Sequence, residues 1–344
     1  MPIAQEAWMD AARQVAAWRR PILFSHVRPD GDAIGAVVAM TRILRALGTD
    51  PIPLLFEDVP PRYARLAEGE PIARWSNGNS VDRADGILVL DTCSWPQLEP
   101  AARFLRTSSL PRVVVDHHKT RDALRGAAAP TEPTCLIDET ASATCLLLYD
   151  WATAARWPLD RQVADPLFVG MATDTGWFRF SNTDARTLRA AAALVEAGTS
   201  PDLWFTRVFE SLPPSRLRLE AILLENTRLS EDGRIAWSVL TRAAFERAGA
   251  LHSETEDLIA LIQRVEGVVV SILFVEEADG RTRVSLRSKS PATCGFDVDV
   301  AAVAKPLGGG GHDRAAGLRL CIPIDAARPM VLEAVSRALA ARAR

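Results

Sequence analysis

The stretch Val113-Val114-Val115-Asp116-His117-His118-Lys119 decides how this chain is read. Its three consecutive valines form a short apolar run, the signature of a strand buried on both faces, as in a parallel α/β sheet. The run stops abruptly at a carboxylate and two imidazoles. Open parallel sheets bind ligands beyond the carboxyl ends of their strands, so this triplet lies where a metal site can be built.

The same pattern recurs on either side. Ile22-Leu23-Phe24 leads into Ser25-His26-Val27-Arg28-Pro29-Asp30-Gly31-Asp32, and the run 86–90 leads into Asp91. Further strands are expected at 52–56 and 111–115, and at Leu136-Ile137. Helices are expected at 4–19, where Trp8, Ala11, Ala12, Val15 and Trp18 keep helical spacing, and from Ala33 to a stop at Gly48. Others are expected at 62–68, at 96–106 and from Ser142 to Trp151. A helix at 165–172 would deliver Thr173-Asp174-Thr175-Gly176, and Asp184 would cap the helix 185–197. Strands alternating with helices define an α/β parallel-sheet domain over residues 1–198.

Residues 199–231 hold Pro201, Pro213 and Pro214 among charged helical segments and no expected strand, and read as a helical connector. The remainder, 232–344, has strand-like runs at 235–240, 268–275 and 282–287, a helix at 255–264 and the glycine run 308–311 before His312. It reads as a smaller mixed α/β domain with its own core.

Composition narrows the partners. With 344 residues, 48% of them hydrophobic, and a net charge of −3, the chain is an ordinary globular protein of about two domains. A sequence pI near 6.0 gives no positive track for long nucleic acid. Five cysteines without a Cys-x-x-Cys pair suit a reducing compartment, and Arg13, Arg19 and Arg20 stand where a signal peptide needs apolar residues. A cytoplasmic location with no membrane span is expected.

His26, Asp30, Asp32, Asp91, His117 and Asp174 supply oxygen and nitrogen donors without thiolate, which suits two hard or borderline divalent ions, manganese first and magnesium next. Two ions sharing Asp91 would lower the pKa of a water and clamp a phosphate for in-line attack. Taken singly, each residue has a plain structural reading as a cap, a turn or a strand end. It is their joint placement after strands and helices that points to a site. In the second domain, Ser285, Arg287 and Lys289 share one strand face, and Arg287 can fork onto a phosphate. Four glycines allow close approach by an anion. The nine tryptophans, Trp177 beside Phe178 and Phe180 among them, read for the most part as core rather than as stacking platforms, and Cys93 as a small buried hydrophobe.

These segments, in order, resemble the four motifs of the DHH phosphoesterase superfamily, and Ser285–Lys289 with 308–312 resemble its DHH-associated substrate-binding domain. The length and two-domain plan are similar to the bacterial group of oligoribonucleases (nanoRNases) and 3′-phosphoadenosine 5′-phosphate phosphatases. The resemblance implies that His26, Asp30 and Asp91 hold one manganese, and that Asp32, Asp91, His117 and Asp174 hold another. It implies that His118 contacts the scissile phosphate and that Asp116 orients an imidazole. Ser285, Arg287, Ser288, Gly309, Gly310, Gly311 and His312 would bind the far end of a short nucleotide across the cleft between domains. Asp313-Arg314 departs from the family pattern, in which a basic residue comes first after this histidine. The implied substrates are short oligoribonucleotides, 3′-phosphoadenosine 5′-phosphate, pApA and cyclic dinucleotides, handled by a homodimer. A processive single-strand exonuclease and a non-catalytic nucleotide sensor are the competing readings.

Overall fold

The computed structural model describes residues 3–76, 81–119, 121–126, 131–255 and 257–341. It divides into two units, Met1–Ser211 and Leu212–Arg344. The first runs α1 (Gln5–Ala16), β1 (Pro21–Phe24), α2 (Gly31–Ala46), β2 (Ile52–Leu55), β3 (Ala73–Arg74), β4 (Gly86–Leu90), α3 (Ala102–Thr107), β5 (Arg112–Asp116) and β6 (Thr134–Ile137). Helices α4 (Thr144–Ala155), α5 (Arg161–Asp174), α6 (Ala185–Glu196) and α7 (Pro201–Phe209) complete it.

The six strands pair in parallel in the order β3-β2-β1-β4-β5-β6. The central strands β1, β4 and β5 are buried along their whole length, as their unbroken apolar runs require. Alternate residues serve two cores. Leu23, Leu88, Leu90, Val113 and Val115 pack with residues of α1, α2, α4 and α5, while Ile22, Phe24, Ile87, Val89 and Val114 pack with Trp75, Leu98 and Leu105. From β1 the chain winds outward to β2 and β3, then crosses back to β4 on the other side of β1. The winding therefore reverses between β1 and β4, and a crevice at their carboxyl ends is the binding position of such a sheet.

Helices α2 and α5 approach closely because glycine lies at their contact. A Cβ at Gly31 would stand 2.3 Å from Thr173 Oγ1, and one at Gly170 would stand 2.3 Å from Cys145 Sγ and 2.8 Å from Asp32 Oδ1. This proximity brings the start of α2 beside the end of α5, and hence Asp32 beside Asp174.

Three expected helices differ. Over 62–68 only a 3-10 turn at Pro61–Tyr63 forms, since Gly69 at φ +83° closes the segment before a second helical turn develops. Over 96–106 the first half is 3-10 (Pro96–Ala101), because Pro100 has no N–H to give an α-helical bond, and α3 begins at Ala102. The helix expected at 255–264 reduces to Ile259–Ile262 after a 3-10 turn ending at Thr255. Asp257 takes a left-handed φ of +59°, and Glu256 lies outside the described residues.

The second unit runs α8 (Pro214–Glu225), β7 (Arg228–Leu229), β8 (Ile235–Leu240), α9 (Arg242–Ala248), α10 (Ile259–Ile262), β9 (Val270–Glu276) and β10 (Thr282–Ser288). It continues with α11 (Pro291–Cys294), α12 (Val300–Ala304), β11 (Gly310–His312), β12 (Ala315–Leu320) and α13 (Ile324–Ala341). Its sheet has the order β11-β12-β10-β9-β8-β7, with β8 and β9 parallel and the other pairs antiparallel. Residues 199–231 are thus shared, α7 lying in the first unit and α8 in the second, and they include the two-residue strand β7 where none was expected. Among the described residues no helix is long and apolar enough to cross a membrane.

Gly170→Ala forces a methyl into the contact of α2, α4 and α5, and should cost about 1–3 kcal/mol. A denaturation midpoint equal to that of the unsubstituted protein would contradict the close approach described here.

Candidate active site

The segment after β1 places the first imidazole. His26 Nδ1 donates to the Val27 carbonyl at 2.9 Å, which fixes the tautomer and leaves Nε2 as the inward-facing atom. That Nε2 lies 3.3 Å from Asp91 Oδ2 and 3.8 Å from Asp30 Oδ1. Asp30 is also the N-cap of α2, its Oδ1 accepting from the backbone of Asp32 and Ala33, both at 3.1 Å. One loop therefore starts a helix and aims a carboxylate with the same residue.

Asp91 is the first residue after β4, buried, and holds a left-handed φ of +63°. Its N–H still donates to Val115 at 2.9 Å, so the turn is anchored to β5 while the side chain swings over the sheet edge. The two carboxylate oxygens face different imidazoles: Oδ2 faces His26, and Oδ1 stands 3.7 Å from His117 Nε2. Among the described residues Asp91 belongs to three sets of convergent ligand atoms, one with His26 and Asp30, one with Asp32 and His117, and one with Asp116 and His118.

His117 repeats the device of His26. Its Nδ1 donates to the Ala141 carbonyl at 3.2 Å, and its Nε2 lies 3.2 Å from Asp174 Oδ2 and 3.9 Å from Asp32 Oδ2. Burial, with the neighbouring His118 charge, pushes its pKa down to about 4, so the ring is neutral and offers a lone pair. Asp32 accepts the backbone N–H groups of Thr144 at 2.6 Å and Cys145 at 2.9 Å, the first turn of α4. The helix dipole favours the carboxylate there. The Thr144 hydroxyl donates to Asp91 Oδ1 at 2.9 Å.

Four carboxylates thus crowd one crevice, and among the described residues the imidazoles of His26, His117 and His118 face them. The repulsion registers as shifts. Burial first, and then the nearby Asp91 charge, raises Asp32 well above the usual carboxylate range. Burial together with Asp32, Asp30 and Asp91 does the same to Asp174. Burial opposes the charge on His26, but Asp30 and Asp91 outweigh it and hold the ring well above its ordinary value. Divalent cations would answer the excess negative charge, and the mixed oxygen and imidazole donors fit hard or borderline ions.

The other two residues of the opening triplet make a separate pair. Asp116 ends β5 fully buried, and its Oδ1 accepts from His118 Nδ1 at 2.7 Å and from the His118 backbone at 3.2 Å. Burial lowers the pKa of His118, but the Asp116 bond together with the Asp91 and Asp116 charges more than reverses this and raises it to about 9. His118 is partly exposed at the crevice, where its ring can meet an anion.

The second unit sorts its expected residues by strand register. Arg287 and His312 both stand opposite Ala315 of β12, on its two sides, and Ser285 and Gly310 both stand opposite Gly317. These rows share one face, floored by residues no larger than alanine. Ser288 points the other way, buried, its hydroxyl donating to the Val298 carbonyl at 2.7 Å. Gly311 also lies on that other side, in the row of Leu286 and Ala316, where a Cβ would meet the Ala315 carbonyl at 2.3 Å. Gly309 is equally confined, since a Cβ there would stand 2.5 Å from the Gly317 carbonyl. The glycine run is therefore a turn and an edge strand rather than an open loop. Arg314 donates to the Val298 carbonyl and pairs with Asp297.

Sequence reasoning passed over Thr144, Cys145 and Ala141. The only local signal was the Ser142-Ala143-Thr144 helix start, and nothing in it shows that its free N–H groups meet Asp32 from far away in the chain.

Both units contain segments that match known domain families. The model of the DHH family N-terminal domain matches residues 21–171, and the DHHA1 domain matches residues 242–341. The chain is 31% identical to the bifunctional oligoribonuclease and PAP phosphatase NrnA of Thermus thermophilus, over 92% of this chain and 89% of that protein. It is 28% identical to the protein of the same name from Bacillus subtilis, over 89% and 90%. A solved structure of an exopolyphosphatase-related protein from Bacteroides fragilis shares the fold at a TM-score of 0.84 and 20% identity, covering 98% of this chain and 96% of that one. The chain belongs to the DHH family and is a phosphoric ester hydrolase.

Asp174→Asn removes one repelling charge from the crevice. Without divalent metal its melting midpoint should lie above that of the unsubstituted protein, and the upward shift on adding manganese should shrink. A lower midpoint without metal would contradict the reading of Asp174 as a repelled carboxylate.

Proposed function

We propose that the protein is a two-metal phosphodiesterase and phosphatase that hydrolyses short oligoribonucleotides to 5′-mononucleotides and removes the 3′-phosphate of 3′-phosphoadenosine 5′-phosphate. Linear and cyclic dinucleotides such as pApA belong to the same substrate class. The observation that carries the reading is Asp91, whose two oxygens face separate imidazole-and-carboxylate sets. His26, Asp30 and Asp91 would hold one manganese ion, and Asp32, Asp91, His117 and Asp174 the second. Magnesium is the alternative ion. When bound, the ions supply an acidified water and a positive clamp on the phosphate.

The chain's own residues do the rest. The carbonyls of Val27 and Ala141 keep His26 and His117 in the tautomer that presents Nε2. Asp116 holds the proton on His118 Nδ1, which keeps the ring cationic and leaves Nε2–H to donate to a phosphoryl oxygen as its negative charge grows. Water adds to phosphorus, the P–O ester bond breaks, and the leaving oxygen takes a proton to become a hydroxyl. Arg287 and His312, on one face with Ser285 and Gly310, would grip a terminal phosphate or nucleotide. A local grip of this kind suits a chain with net charge −3. Residues 1–198 are assigned the chemistry, 199–231 the connection and 232–344 the substrate grip, in a homodimer working in the cytoplasm.

The similarity to NrnA proteins over about nine-tenths of both chains supports the substrate choice. A turnover panel with manganese tests it. Di- to pentaribonucleotides and 3′-phosphoadenosine 5′-phosphate should be hydrolysed, and long single strands should be poor substrates. Processive degradation of long strands in preference to short ones would reject the assignment. Asp91→Asn should lower kcat by about 100-fold or more. Arg287→Ala should act mainly on KM, and an unchanged KM would remove Arg287 from the grip.

A further inference from the structure

We infer that Arg186 on α6 is a positioning residue for the metal centre, acting through Asp138 on the segment 138–145 that orients three of the proposed ligands. This rests on the metal-site reading given under Proposed function. That one short segment supplies the Ala141 carbonyl that sets the His117 tautomer at 3.2 Å. It also supplies the Thr144 and Cys145 N–H groups that hold Asp32 at 2.6 and 2.9 Å, and the Thr144 hydroxyl on Asp91 at 2.9 Å. His117, Asp32 and Asp91 therefore keep their orientation only while residues 138–145 keep theirs.

Asp138 organises that segment from its first residue. Its Oδ1 accepts the Thr140 N–H at 3.1 Å and the Thr140 hydroxyl at 2.6 Å, and the Ala141 N–H donates to its backbone carbonyl at 3.1 Å. The second oxygen, Oδ2, accepts from Arg186 Nη1 at 2.8 Å, with the Asp138 side chain wholly buried. Arg186 is itself held by Asp150 of α4, Oδ2 accepting from Nε at 2.8 Å. The next residue of α6 adds a second tie, Ser142 Oγ to Thr187 Oγ1 at 2.8 Å. Asn182, four residues before Arg186, donates to the carbonyls of Ser142 and of the proposed ligand Asp174, both at 3.2 Å. The start of α6 and the turn before it thus brace the ligand-bearing segment. A guanidinium suits this place because its planar fork reaches two carboxylates on different elements, which a lysine ammonium does less well.

The test is manganese binding to the full chain by calorimetry, below the melting temperature, with dinucleotide hydrolysis measured in parallel. Arg186→Met should weaken the manganese dissociation constant by about 10–100-fold, the range seen when partners of metal ligands are lost. It should lower kcat at limiting manganese with KM for the dinucleotide changed less than about twofold, and excess manganese should restore part of the rate. Arg186→Lys should recover part of the affinity. Glu70→Gln is the control, since it breaks a buried ion pair with Arg42 and Arg45 remote from the segment. If Arg186→Met binds manganese more weakly while Glu70→Gln, with as much thermal stability lost, binds it normally, the positioning role stands. If both variants bind manganese as the unsubstituted protein does, Arg186 is only structural and the inference is overturned. Should Arg186→Met fail to fold, Asp138→Asn keeps the Thr140 bonds and removes the ion pair, and the same shift in manganese affinity decides the matter. If the unsubstituted protein binds manganese but hydrolyses no dinucleotide, the substrate assignment fails while the binding comparison still tests Arg186.

Discussion

The crowding of Asp30, Asp32, Asp91 and Asp174 into one crevice, which raises Asp32 and Asp174 above the usual carboxylate range, is the constraint that shapes the polar edge of the first unit. Four carboxylates in one crevice oppose folding unless something pays for their charge, and the protein gathers three kinds of compensation around them. Imidazoles face their oxygens, the first turn of α4 donates two N–H groups to Asp32, and the donor geometry is left suited to divalent cations. The apolar strands beneath serve as the rigid floor, since β1, β4 and β5 are buried along their whole length and cannot yield to the repulsion above them. This is the usual exchange of stability for function at a polar site.

The topology explains why these residues meet. His26 and Asp91 follow neighbouring strands at the point where the winding of the sheet reverses, so the crevice opens between them. Asp91 then lies centrally, with β1 on one side of β4 and β5 on the other, and a left-handed turn lets one side chain face both. The tautomers are set from outside in each case, by a backbone carbonyl on Nδ1. His118, by contrast, is paired with a carboxylate rather than a carbonyl, and becomes a cation. Two adjacent histidines thus take different charge states, His117 pushed down to about 4 by burial and the His118 charge, and His118 raised to about 9 by the nearby carboxylates.

Much of this was legible in the sequence because it depends on short-range rules. A buried strand ends where its apolar run ends, and a polar residue there points at the sheet edge, which sufficed to find His26, Asp91 and the Asp116-His117-His118 triplet. The alternation of a strand also placed Ser285 and Arg287 together, and the same alternation turns Ser288 away from them. What stayed hidden is long-range. The bonds from Thr144 to Asp32 and Asp91 join residues 112 and 53 positions apart. The role of Gly170 depends on a helix contact that no local pattern encodes. Short helices were over-read for the opposite reason, because Pro100, Gly69 and the left-handed Asp257 interrupt patterns that periodicity alone would continue.

The central claim is that Asp91 joins two ligand sets into one centre. Electron paramagnetic resonance of the manganese-loaded protein, with the bound ion counted in the same sample, tests it most directly. The account predicts about two ions per chain with the spectrum of an exchange-coupled pair, collapsing to an isolated-ion spectrum or to no bound ion in Asp91→Asn. Two uncoupled ions, or a coupled pair that survives Asp91→Asn, would contradict it.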